Sequence, residues 1–161
     1  MNRKFVYILA VMILFFSACG TQPYLKENSV FILFKTPSFK YADMGFLYEN
    51  SSEVKVEIYG SGQALMSLKI SSDSVCMSQF KCMSKKMFNR ELLSSYYNYD
   101  ILENIFRGKA IFNGMNMTKN SNGFTQEIIN EYKYHIKYSV LKREIIFSDT
   151  INNIVIKIKK Q

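Results

Sequence analysis

From Val30 onward the chain reads as short apolar or alternating runs divided by polar turns. Val30-Phe31-Ile32-Leu33-Phe34 is a continuous apolar run that predicts a buried strand, and Thr36-Pro37-Ser38 breaks it. Phe39 to Glu49 predicts a second strand, bulged or bent at Gly45. Val54, Val56 and Ile58 then alternate with Lys55, Glu57 and Tyr59, the period-2 pattern of a strand with one covered face. Gly60-Ser61-Gly62 turns the chain into Ala64, Met66, Leu68 and Ile70, which alternate with Leu65, Ser67 and Lys69. Ser71-Ser72-Asp73 leads to a short strand at Ser74 to Met77. Links this short predict an antiparallel meander.

The middle of the chain changes period. Asn89 to Ser95 predicts one helix with Asn89 as its cap. Asp100 to Gly108 predicts a second, with Ile101, Leu102, Ile105 and Phe106 as its apolar stripe and Gly108 as its stop. Asn113 to Gly123 is polar and predicts a mobile loop. Alternation then returns: Tyr132, Tyr134, Ile136, Tyr138 and Val140 share a face, with Lys133, His135, Lys137 and Ser139 on the other. Glu144 to Phe147 and Ile154 to Ile158 complete the pattern. The expected class is α+β: four or five strands, two short helices, then three strands, with no repeat and no second domain.

The N-terminus carries a different signal. Asn2-Arg3-Lys4 is followed by twelve unbroken apolar residues, Phe5 to Phe16. A spanning helix needs roughly 20 residues, so the run suits the core of an export signal. Phe16-Ser17-Ala18-Cys19-Gly20 resembles the lipobox of bacterial lipoproteins, with Phe16 in the place of the usual Leu. The resemblance implies a diacylglycerol on the Cys19 thiol, cleavage before Cys19 and acylation of the new amine. Two or more acyl chains hold a protein stably to a bilayer where one does not. Gly20, not Asp, follows the cysteine, which in the Gram-negative sorting rule favours the outer membrane. The expected organisation is a signal peptide over 1–18, a lipidated tether over 19–29 and one domain over 30–161.

Export narrows what composition permits. The chain of 161 residues has 21 Lys+Arg against 13 Asp+Glu, and its charge falls from +8 to +6 when Arg3 and Lys4 leave with the signal. An envelope protein meets anionic lipid and little nucleic acid, so the surplus reads either as membrane proximity or as a Lys-rich genome. A mean hydropathy of −0.07 excludes a polytopic membrane protein. Catalytic chemistry is hard to find. His135 is the one histidine, set between two lysine-bearing positions with no Ser or Cys partner in reach of sequence logic. No phosphate loop, nucleophile elbow or metal-ligand spacing occurs, so neither an enzyme nor a metal or other cofactor is expected. Cys76 and Cys82 either bridge across a hairpin in the oxidising envelope or stay unpaired.

Four features in order resemble the LolB family of outer-membrane lipoprotein receptors, which shares its fold with the periplasmic carrier LolA. They are Ile58-Tyr59-Gly60-Ser61-Gly62 leading into Ala64 to Ile70, a short strand after it, a helix pair ending Ile101-Leu102-Glu103-Asn104-Ile105-Phe106-Arg107-Gly108, and a last strand Asn153 to Ile158. The resemblance spans about Phe39 to Lys159. It implies a curved antiparallel sheet forming an incomplete barrel, with short helices covering the concave face. It also implies a cavity for acyl chains and a LolA-type carrier as partner. Val56, Ile58, Met66, Leu68, Tyr134, Ile136 and Tyr138 would line the sheet side, and Ile101, Leu102, Ile105 and Phe106 the lid. Tyr59 stands nearest the position of the family's exposed membrane-insertion residue. From the residues alone the helix stripe reads either as plain core or as a lid. The expected function is that of an outer-membrane-anchored monomer accepting lipoproteins from a periplasmic carrier. The alternative is a structural or assembly lipoprotein of the envelope acting through protein contacts.

Overall fold

The computed structural model describes residues 23–78 and 82–161. Eleven antiparallel strands form one sheet: β1 (Lys26–Lys35), β2 (Lys40–Glu49), β3 (Val54–Gly60), β4 (Gln63–Ile70), β5 (Ser74–Met77), β6 (Met83–Ser84), β7 (Met117–Asn120), β8 (Gly123–Asn130), β9 (Tyr134–Leu141), β10 (Glu144–Asp149) and β11 (Ile154–Lys160). Two short helices, α1 (Lys85–Leu92) and α2 (Ile101–Arg107), lie between β6 and β7 in the chain. The spatial order is β6-β5-β4-β3-β2-β1-β11-β10-β9-β8-β7, so the sheet stays unclosed. The one non-sequential neighbour pair is β1 with β11, running from Val30↔Lys160 to Lys35↔Val155.

Alternation decides the faces. Val30, Ile32 and Phe34 on β1, Val54, Val56 and Ile58 on β3, and Ile154, Ile156 and Ile158 on β11 are all buried, with partly covered or exposed residues between them. Phe88 on α1 and Ile101, Leu102, Ile105 and Phe106 on α2 join the same core. The protein is thus mostly sheet, with two short helices sharing its apolar interior. All eleven strands, both helices and this core lie within residues 23–161, a length at which one core supports a domain, so a fragment starting at Thr21 is expected to fold alone.

Several boundaries differ from expectation. There is no bulge at Gly45; β2 keeps register with β1 through it. A Cβ there would lie 2.0 Å from the Glu57 carbonyl oxygen, so the glycine answers a close strand approach. The irregularity falls between Ile58 and Tyr59 instead. Helix α1 starts at Lys85, with the Ser84 hydroxyl accepting from the Met87 N–H. Asn89 is not its cap: it is buried in the helix and donates to the Asn98 carbonyl. The expected loop over 113–123 contains β7, whose four residues are all exposed. Such an edge strand is exposed on both faces and carries only Met117 as an apolar residue, which hides it from a search for alternation. Tyr132 lies in the β8–β9 turn, 88% exposed, and so leaves the face of Tyr134, Ile136 and Tyr138.

Cys76 and Cys82 form a disulfide, with Cα atoms 4.0 Å apart. The Ser74↔Ser84 and Val75↔Met83 pairs place the two cysteines next in the β5–β6 ladder. Loop-closure entropy for so short a loop stabilises by about 2 kcal/mol. Replacing both cysteines by serine is therefore expected to lower unfolding free energy by about that amount, measured by urea titration against wild type under oxidising conditions.

Candidate apolar site

Period-2 alternation brings the sheet-side candidates together. Val56, Ile58, Met66, Leu68, Ile136 and Tyr138 are each no more than 1% exposed, while Tyr134 is half-buried. The α2 stripe joins them, with Ile101, Leu102, Ile105 and Phe106 at 1–2% exposure. Rings knit the layers: Phe106 packs edge-on against Phe34 at 6.1 Å, and Tyr97, in the α1–α2 link, against Phe147 at 5.9 Å. Tyr134 stacks at a tilt on Phe112 at 5.2 Å. The site is a continuous hydrocarbon and aromatic interior shared by sheet and helices.

Polar bonds hold the helices at the edge of this interior. The Lys85 ammonium, 6% exposed, lies 2.6 Å from Glu103 Oε2, joining α1 to α2. Arg107 Nε donates to Glu103 Oε1 at 2.8 Å, and Nη1 donates to the Asn50 carbonyl at 2.8 Å. Burial by itself would raise the Glu103 carboxyl, but hydrogen bonds from Lys85 and Arg107 outweigh it and hold the group below its ordinary value. Tyr138 donates from β9 to the Lys109 carbonyl at 3.0 Å, just past α2. Its phenol is pushed up by burial. Tyr97 donates to buried Asp149, and burial together with that bond raises the phenol. Asp149 also accepts from the N–H groups of His135 and Ile151.

These polar anchors were not singled out in the sequence. Lys85, Asp149 and Gln126 occupy buried positions where alternation predicts nothing polar. Gln126, 2% exposed, both accepts from the Ile111 N–H and donates to its carbonyl. Tyr59 is half-buried within β3, its ring edge-on to Phe46 at 5.8 Å and its hydroxyl on Glu57. The exposed apolar side chain of that hairpin is Leu65, at 51%. His135 sets its ring 3.2 Å from Glu127 at the surface. Cys19 and the whole expected leader lie outside the described residues.

Two cavities are lined mainly by polar residues, and Tyr138 of the sheet-side set borders the second. A cavity of about 460 Å³ is lined by polar groups of α1 and the following link, among them Lys86, Asn89, Arg90 and Asp100. Another of about 420 Å³ lies over Thr125, Glu127, Lys137 and Ser139. Among the described residues no group of three or more His, Cys, Asp or Glu could hold a metal ion, and no helix is long and apolar enough to cross a membrane. The sequence matches no protein-family model and no curated protein.

Proposed function

We propose that this protein is a lipid-anchored bacterial lipoprotein of the outer membrane, facing the periplasm, that accepts the acyl chains of lipoproteins delivered by a LolA-type carrier. The observation that carries the reading is the largely apolar core shared by two short helices and an unclosed antiparallel sheet. Val56, Ile58, Leu68 and Ile136 share one buried core with Ile101, Leu102, Ile105 and Phe106. In this reading the sheet is an incomplete barrel, α1 and α2 cover its concave face, and the ligand-free interior is closed. An entering chain moves the helices outward and replaces helix–sheet contacts by chain–sheet and chain–helix contacts. Burial of the chain at about 25 cal/mol per Å² drives the transfer, with no covalent step and no cofactor. Cys19 supplies the anchor at the end of the sheet where β1 begins, and the β3–β4 hairpin with Tyr59 and Leu65 lies at the opposite end.

A loading assay tests the reading. A LolA-type carrier holding a radiolabelled lipoprotein with a photoactivatable acyl chain is mixed with fragment Thr21–Gln161. Label is expected to move to the fragment, and light is expected to crosslink it to β3, β4, β9 and α2. A fragment that takes no label and binds no apolar dye overturns the proposal. One observation favours a second reading, in which the protein is an envelope assembly factor: the interior is packed, and exposed Tyr96, Tyr99, Ile129 and Tyr132 offer an outer contact surface.

A further inference from the structure

At the end of the sheet where β1 begins, three separate elements bring cations to one small pocket. Arg107 is the last residue of α2, Lys142 and Arg143 form the β9–β10 turn, and Lys160 ends β11. All four line a cavity of about 180 Å³. The Lys160 N–H donates to the Arg143 carbonyl at 2.8 Å, which ties the turn to the last strand. The one carboxylate in the lining, Glu144, is held by Lys157 at 2.8 Å. The remaining walls include Val140, Leu141, Ile145 and Ile158, of which Ile145 and Ile158 belong to the buried core. The pocket therefore has a cationic rim and an apolar floor that continues into the interior.

Arg107 adds an independent sign of a missing partner. Its side chain is 9% exposed, and Glu103 and the Asn50 carbonyl take Nε and Nη1. Glu49 stands 4.0 Å from Nη1. Nη2 has no hydrogen-bond partner, the one such buried side-chain nitrogen or oxygen among the described residues. The guanidinium's charge is met by Glu103 and Glu49, but a buried N–H group without an acceptor is costly, and an anion's oxygen beside Nη2 relieves that cost. Guanidinium groups also suit the oxygens of a phosphate better than any other side chain does.

We propose that this pocket binds the phosphate of an anionic lipid, with the first carbons of its chains lying on Val140, Ile145 and Ile158. The inference rests on the acyl-binding reading above and names the headgroup that the same interior accepts at its mouth. Position supports it. Only six residues separate Cys19 from Lys26, a reach of at most about 25 Å over the seven steps. A lipidated Cys19 thus keeps this end of the sheet close to the headgroups.

The test titrates fragment Thr21–Gln161 with dihexanoylphosphatidic acid, dihexanoylphosphatidylcholine and inorganic phosphate by calorimetry. The anionic lipid is expected to bind at least tenfold more tightly than either of the other two. The double variant Arg143→Gln/Lys160→Gln, on an exposed turn and at the end of a strand, is expected to lose that tenfold preference. Arg107→Lys, checked for native circular dichroism, is expected to weaken the anionic lipid alone. Equal binding of the two lipids, or a preference unchanged in the double variant, overturns the headgroup assignment and leaves acyl binding standing. Inorganic phosphate binding as tightly as the lipid makes this a free-phosphate site and overturns the proposal. Binding of no probe at all overturns both readings.

Discussion

Phe106→Ala is expected to lower unfolding free energy by about 3–5 kcal/mol, with a fall in Tm of about 10 °C. Phe106 is 1% exposed and contributes the largest side chain of α2 to the shared core. Its ring meets Phe34 edge-on, so truncation removes both buried area and an aromatic contact. The helix has only seven residues and cannot hold itself in place by backbone bonds alone. Its position depends on this burial. Urea unfolding measures the loss. The same variant also reports on function, because the space vacated lies between α2 and the sheet. If the interior accepts hydrocarbon chains, Phe106→Ala binds an apolar dye more strongly than wild type. A destabilised variant with unchanged dye binding would mark Phe106 as ordinary core.

That dependence on tertiary burial explains what could be read in advance. The α2 stripe was legible because Ile101, Leu102, Ile105 and Phe106 recur at helical spacing and Gly108 ends the run. In the structure Gly108 indeed takes the left-handed conformation, with φ of 63°. Strands β3, β4, β9, β10 and β11 were legible because one covered face imposes a period of two. The start of α1 was not, because its buried face includes Lys85 and Asn89 beside Phe88. A polar residue is buried there only because a distant partner satisfies it, and Glu103 is eighteen residues away. Strand β7 was missed for the opposite reason: with both faces exposed, its one apolar residue, Met117, sets no alternation. Of the candidate apolar site, the strand-side residues were readable and the polar groups fastening the helices were not. Adjacency of Arg107, Arg143 and Lys160 is likewise a product of strand order, since β11 returns beside β1 and β10.

The polar fastening yields the second large effect. Glu103→Ala is expected to cost about 3–5 kcal/mol, because it leaves the Lys85 ammonium buried without its counter-charge and frees Arg107 Nε. Replacing the pair together, Lys85→Met with Glu103→Leu, is expected to recover the Lys85 part of that loss, since that part lies in the orphaned ammonium, while Arg107 Nε still lacks its partner. Equal losses in the single and double variants would show that Glu103 acts through packing alone. Acid provides the same perturbation without mutation. Glu103 is held below its ordinary value of 4.5, so the folded state favours its charged form. Its contribution to stability is complete above that value and disappears as pH falls through the lowered one. A Glu103→Gln variant is therefore expected to show a shallower loss of stability below pH 4.5 than wild type, as followed by urea midpoints. Since Lys85 and Arg107 reach Glu103 from α1 and from α2 itself, the same acidification is expected to loosen the two helices from each other. An apolar dye that binds in that acid window, and not at neutral pH, would locate the opening at the helix–sheet contact on which the proposed acyl acceptance depends.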